Sequence, residues 1–580
     1  MAENTSQSDD VHSPDRIADE PLIPYEPLIP FRQSSWPEEH GLYLKLRVFV
    51  RNRSPDQIPR VVVITDVEQD YDDLLAIIFL IEMHRMGAIH LEGCIANHYP
   101  ADRRAWFLRT VLDLFNLPEV PVTEGTKGAS DVEAHAPDLF YGLKNKTFEE
   151  AGNRRVSPFR NGLDLLNALV QESGTGRPPK QKLTVLLISS LQDISELFDD
   201  YKTTDAKDLQ AKIHKCVSQG GYKWEDGVLW PEMGMVNNSF NRKAAKNYTR
   251  TIQESKIPSD AWSREAAKAS ALDGKFFKKL FGLGPIGAHL KWMWLRQEFK
   301  FYWDSNNDPF MPHLNFGWYL NTRLGLPKGS EKYNEWINGK PPRFRAVYPH
   351  IRIIPYDCCA AVGAVGDDFM RAMGVLGSAD SLPDYNKTKP CEHRMFGRSP
   401  DDLGGINPSQ LAKVMETFLH GALLATHKKG EQHIHAKSVE HYTQEFTEEM
   451  GEKWDHDSHD PLFIEIKESW KELSKCKAKA LDAEDSCDLA RRQCERLGGT
   501  EVAKVKVKEA EEAKAEADWR VVKAEIELKK VQAKVKEDQE SPSGRLRGRY
   551  DYKHQKSFTA PYEWLYQKEM GGSSATVDIT

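Results

Sequence analysis

The chain has 580 residues, of which 40% are hydrophobic and 29% charged, apolar enough to bury a sizeable core and too apolar for a wholly disordered polypeptide. Lys+Arg 79 against Asp+Glu 87 leave a formal net charge of -8, so no global basic field exists to hold nucleic acid. Eight cysteines without a C-x-x-C pair are too sparse for a disulfide-stapled fold and argue against a zinc knuckle; with no secretory signal in MAENTSQSDDVHSPDR and no apolar run of roughly 18 residues, the expectation is a cytoplasmic protein without membrane association.

Residues 1–58 are polar and Pro-rich and are expected to be disordered, with PLIPYEPLIP (Pro21 to Pro30) as a polyproline-type linker or a docking motif. Leu42 to Val50 alternates like a strand. From residue 59 the pattern changes: Arg60-VVVIT-Asp66 has the β-branched run of a buried parallel strand, and Leu74 to Gly87 reads as a helix closed by Gly87. A strand (Ile89 to Asn97), a helix (Arg103 to Leu117) and strands at Val120 to Gly125 and Leu183 to Ser190 follow. Strands alternating with helices predict a doubly wound α/β domain over 59–455 with a mostly parallel sheet, whose ligands sit at the carboxyl ends of the strands.

An aromatic-rich stretch from about 265 to 350, including His289 to Asp304, reads as an insertion, because the α/β pattern resumes only at Ile351. It packs as core or closes over a ligand by stacking. Residues 463–540 are dominated by Lys, Glu and Ala and split by Gly498-Gly499, which predicts a helical hairpin or coiled-coil arm, with 541–580 a flexible tail. His433, His435 and the run Asp455 to Asp460 lie in polar stretches without converging spacing and read as solvated loops.

The chemistry concentrates in Asp66-Val-Glu68-Gln-Asp70-Tyr-Asp72-Asp73, five acids in eight residues at the carboxyl end of a core strand. So much negative charge in a partly buried loop is costly unless a cation neutralises it, and oxygen-only ligands select a hard ion such as Ca²⁺ or Mg²⁺. The competing explanation is that Asp72 and Asp73 merely cap the next helix. An EF-hand loop fails, because its sixth and twelfth positions would be Tyr71 and Ile77. A haloacid-dehalogenase-type phosphatase finds only an echo in Asp66, Glu68 and Gly366-Asp367-Asp368.

The spacing resembles the nucleoside hydrolase family, inosine/uridine-preferring type, whose fingerprint is D-x-D-P-G-x-D-D; Asp66, Glu68, Asp72 and Asp73 fall on its four acids. Cys94-Ile-Ala-Asn97, Ala134-His135, Leu183 to Ile194, Gly220-Gly221 with Asn238 to Asn241, and Pro355-Tyr-Asp357-CCAAVGAV resemble its later blocks in order. The resemblance implies a Ca²⁺-dependent N-ribosyl hydrolase that releases a nucleobase from a ribonucleoside by attack of water at C1′. It implies Glu68, Asp73, Asp357 and the Ser189 carbonyl as metal ligands, Glu68 also as general base, and Asp66 as a supporting acid. Asp72, Asn97 and Asn241 would bind ribose, with Tyr356 and His135 on the nucleobase side, and the protein would be a homo-oligomer. For Asn97 and Asn241 a helix cap or turn competes.

Three substitutions depart from the family pattern. Glu68 stands for Asp, Tyr356 for a histidine that protonates the leaving base, and Ser239 for a glutamate near the ribose 5′ end. A phenol of ordinary pKa near 10 is a poor acid at neutral pH. A catalytically degenerate ribose- or nucleotide-binding protein of the same fold is therefore the alternative.

Overall fold

A computed structural model describes residues 29–31, 35–68, 70–128, 159–175, 181–202, 206–225, 228–280, 283–307, 315–339, 341–342, 344–377, 393–426, 461–496 and 499–540. His135, His433, His435, Asp455 to Asp460, Gly498, most of PLIPYEPLIP and the segment 541–580 lie outside these.

Seven parallel strands form one sheet: β1 (Arg60–Thr65), β2 (His90–Ala96), β3 (Val122–Glu124), β4 (Leu183–Leu187), β5 (Ile213–Gln219), β8 (Ser259–Trp262) and β9 (His393–Phe396), in the order β3-β2-β1-β4-β5-β8-β9. A separate antiparallel hairpin joins β6 (Tyr222–Glu225) to β7 (Val228–Pro231). Strand order reverses between β1 and β4, and this topological switch opens a crevice at their carboxyl ends. The fold is α/β, as the alternation of elements implied.

β1 is buried along its whole length because helices cover both faces of the sheet. The helix after it, α2 (Tyr71–Arg85), is buried from Tyr71 to Met83; it packs against the helices Tyr356–Val365 and Pro408–Thr426 as well as the sheet, so it carries apolar residues all round. Gly87, just past its end, takes a φ of 75°, a conformation that suits glycine.

Several elements differ from the sequence expectation. Leu42 to Val50 is no strand: it lies in helix α1 (Pro37–Arg51), which buries Leu42, Tyr43 and Leu46. The segment 1–58 is thus ordered core over at least this helix; Pro at the first turn and two acids behind it favour a helical start. The Tyr43 hydroxyl donates to the carboxylate of Glu82 on α2, which explains how one polar atom is accommodated there. β5, β8 and β9 lie outside the strands expected from the sequence, and Ile353 forms only a bridge to Leu272 before the helix Tyr356–Val365 begins.

The aromatic stretch forms helices Gly274–Leu280, Gly284–Asn307, Phe316–Thr322, Glu331–Asn338 and Phe344–Val347. Phe277, Trp294, Phe299 and Tyr319 share one core with Leu74, Ile77 and Ile81 of α2, so the insertion is an integral wall of the domain. Beyond it, helices Pro461–Arg496 and Glu501–Glu540 pack on each other. No helix among the described residues is long and apolar enough to cross a membrane.

Candidate metal and ribosyl site

The carboxyl end of β1 delivers the acidic loop into the crevice, and the start of helix Tyr356–Val365 meets it there. Oxygens of Asp70, Asp72, Asp73 and Asp357 all lie within 4.8 Å of one another, and the last three residues are buried. Asp70 also caps α2, accepting from the Asp72 amide at 3.3 Å. Capping and convergence therefore coexist, and the capping explanation does not account for Asp73 or Asp357.

Burial, then the charge of Asp70, raises the Asp72 carboxyl well above the ordinary range. Asp73 is raised by burial and by Asp66 and Asp70, although the Thr65 hydroxyl donates to it. Asp357 is raised by burial and by Asp72 and Asp73. Asp66 is pushed up to about 6, chiefly by burial, with Arg104 opposing. Such crowding is relieved either by protons or by a cation. An oxygen-only set of buried acids fits a hard divalent ion; Oε2 of Glu68, buried without a hydrogen-bond partner, is a further donor nearby in sequence.

The residues singled out by sequence are distributed as follows. Asp72, Asp73 and Asp357 join the cluster. Glu68 adopts a φ of 78° and turns its carboxylate to His289 Nε2 at 2.6 Å. Asn97 donates to the Ser190 carbonyl at 3.0 Å and to Asp193 Oδ2 at 2.7 Å, and accepts from the Ser189 hydroxyl; Asp193 in turn accepts from the Thr126 amide at 2.7 Å. Asn97 is thereby fixed on the loop after β4. Asn241 caps the helix Arg242–Glu254 through the Ala244 amide at 3.1 Å and donates to Gln192 at 3.2 Å, which is the helix-cap reading. Tyr356 opens its helix beside Asp357, and burial pushes its phenol up to about 12.

The sequence includes Asp70 in the acid run without assigning it a ligand role, and gives no sign of Arg104, His289, Glu298 or Arg323. Arg104, buried on helix α3 (Ala101–Leu114), donates to the carbonyls of Asp66 and Val67 and faces Asp66, Asp73, Glu68 and Asp70. Arg323 and Glu298 come from the aromatic insertion; they pair at 3.3 Å, and the Tyr71 hydroxyl donates to Glu298 at 3.2 Å. Burial lifts Glu298 to about 6. Asp70 was visible within the acid run. The others carry no local signal, because nothing in the sequence around each ties it to the acid run.

No family model matches the chain, and no curated protein matches it. Solved structures do. The type III effector protein XopQ complexed with adenosine diphosphate ribose is similar with 19% identity over 67% of this chain and 99% of its own, TM-score 0.49. A purine-preferring ribonucleoside hydrolase from Gardnerella vaginalis shares 16% identity over 63% of this chain and 99% of its own, TM-score 0.36. An inosine-guanosine nucleoside hydrolase shares 11% over 62% and 98%, TM-score 0.38. Likenesses of this size carry no functional inference.

Proposed function

We propose that this protein is a Ca²⁺-dependent N-ribosyl hydrolase acting on a ribonucleoside or a related ribosyl compound. The observation that carries the reading is the convergence of Asp70, Asp72, Asp73 and Asp357 at the switch point of the parallel sheet. When bound, a hard divalent ion would hold a water and a ribose diol together beside these acids. Asp73 and Asp357, with the Ser189 carbonyl, are its proposed holders, and Asp70 adds a carboxylate to that set. Asp72 accepts from a ribose hydroxyl, and Asn97, whose two amide hydrogens go to the Ser190 carbonyl and Asp193, adds its Oδ1 as an acceptor; Asn241 and His135 belong to the same proposal at the ribose and nucleobase sides.

Glu68 takes the proton of the water that attacks C1′, and His289 holds its carboxylate in one orientation. The surplus of acids stabilises the positive charge that develops on the ribosyl ring as the bond to the base breaks. Tyr356, with its phenol held near 12, donates a hydrogen bond to the leaving base and keeps its proton, so the base departs as an anion and takes its proton from solvent.

The test is release of free base from a panel of purine and pyrimidine ribonucleosides with Ca²⁺, wild type beside Asp73→Ala. Release by the wild type alone supports the hydrolase. A second reading, a ribosyl-compound binder without turnover, is favoured by the same Glu68–His289 pair, which engages one oxygen of the proposed base. Ca²⁺-dependent ligand binding with no base released from any compound would support it.

A further inference from the structure

The C-terminal helix Glu501–Glu540 has two contrasting faces. One lies on helix Pro461–Arg496: Ala503, Leu528 and Val531 are buried, and Arg491 pairs with Glu511 at 2.8 Å across the hairpin. The first helix is in turn fastened to the α/β domain, where Asp488 pairs with Lys246 and the Arg492 guanidinium lies 5.1 Å from the centre of the Trp230 ring. The other face of the second helix exposes Val502, Val505, Trp519 (59%), Val522 and Ile526 (50%). Trp519, Lys523, Ile526, Lys530 and Ala533 follow one another at alternating spacings of four and three, the seam of a second heptad. A solvated helix has no use for an exposed tryptophan with two aliphatic neighbours at this spacing.

Charge is distributed along this seam in a way that names its occupant. Glu509, Glu511, Glu512 and Glu516 precede Trp519, whereas Lys529, Lys530 and Lys534 follow Ile526. Laid antiparallel on a second copy about a dyad between Val522 and Lys523, Trp519 of each chain meets Ile526 of the other. Glu516 then faces Lys529 and Lys530, and Glu512 faces Lys534, at both ends at once. The same helices laid parallel would set Glu against Glu and Lys against Lys. Lys523, the one charge at the dyad, lies with its ammonium 5.5 Å from the centre of its own Trp519 ring and exits at the rim.

We infer that this face is the interface of a homodimer in which the second arm helices of two chains pair antiparallel. The stretch from Glu512 to Lys534 is about 35 Å long at ~1.5 Å per residue, enough for a zipper whose charged flanks set the orientation. The pairing is independent of the catalytic reading.

Sedimentation equilibrium of the full chain at micromolar concentration should give the mass of two chains. The E512K/E516K variant and the K530E/K534E variant should each sediment as single chains with unchanged helix content, since all four positions are exposed. Mixing them should restore a dimer. E516C mixed with K530C should cross-link on oxidation while neither alone does so beyond a wild-type control. A single-chain mass for the wild type, a dimer untouched by either charge reversal, or self-cross-linking of E516C would each overturn the inference.

Discussion

The carboxylate of Glu68 and the imidazole of His289 meet at 2.6 Å, although 221 residues separate them in the chain. Both side chains are almost completely buried. The contact ties the acidic loop after β1 to the aromatic insertion, so the insertion sets the orientation of an acid in the candidate site. Removing His289 leaves a carboxylate buried without its partner. His289→Ala should therefore destabilise the chain by about 3–5 kcal/mol in urea unfolding, by analogy with broken buried pairs. His289→Gln, which retains a donor, should cost less than half of that. A loss below about 1 kcal/mol in His289→Ala would mean that Glu68 is held by other groups.

The four converging aspartates make a prediction whose two halves have opposite signs. Asp73→Asn and Asp357→Asn remove repulsion among buried acids at nearly constant shape, so each metal-free variant should melt above the metal-free wild type. Calcium should stabilise the wild type by about 2.7 kcal/mol at one hundred times its Kd and should shift neither variant. Calorimetry with chelator and with added Ca²⁺ checks both halves. A wild type indifferent to every divalent ion would remove the metal site.

Away from the site, two buried imidazoles are expected to contribute to the loss of stability in acid. Burial lowers His393 and His420 to about 4, with Lys279 adding to the effect on His420. The His393 ring nitrogen is 2.9 Å from the Ser259 hydroxyl, and His420 lies edge-on to Phe31 and Trp36. Unfolded histidine has a pKa near 6.5, so between about pH 6.5 and 4 the unfolded chain binds more protons than the folded one. The stabilising contribution is complete above pH 6.5 and is lost as pH falls through about 4. Relative to wild type, His393→Gln and His420→Gln should each show a shallower loss of stability between pH 7 and 5. Parallel curves for variants and wild type would show that these rings do not drive the acid limb.

Helix α1 offers a steric test. Gly421 lies so close to the Tyr43 ring that a Cβ there would overlap the Tyr43 hydroxyl. Gly421→Ala should displace α1 and cost about 1–3 kcal/mol, the range of overpacked cores. Tyr43→Phe removes only the hydrogen bond to Glu82, which keeps Arg85, and should cost about 1 kcal/mol. Deleting residues 1–51 should destabilise more than either, because it uncovers the apolar surface under Leu42, Tyr43 and Leu46. Equal stability of the truncated chain would show that α1 is dispensable.

How much of this was legible in the sequence follows from the range of each interaction. β1, α2 and the acid run between them could be read because hydrophobic period, β-branching and clustered charge are all local, and so was the α/β class. Leu42 to Val50 has the look of a strand because a nine-residue window cannot separate the two periods; the packing of α1 on Glu82 and Gly421 decides the matter. The short strands β5, β8 and β9 were missed because in a buried parallel sheet their neighbours supply the context that their own residues lack. The chain alone determined that acids crowd the end of a core strand. Only the tertiary structure decided that Asp357 joins Asp70, Asp72 and Asp73, that Asn241 caps a helix, and that Arg104, His289 and Arg323 surround the acids. Charge acts across space whatever the sequence separation, and burial, which sets its strength, is a property of the packed molecule.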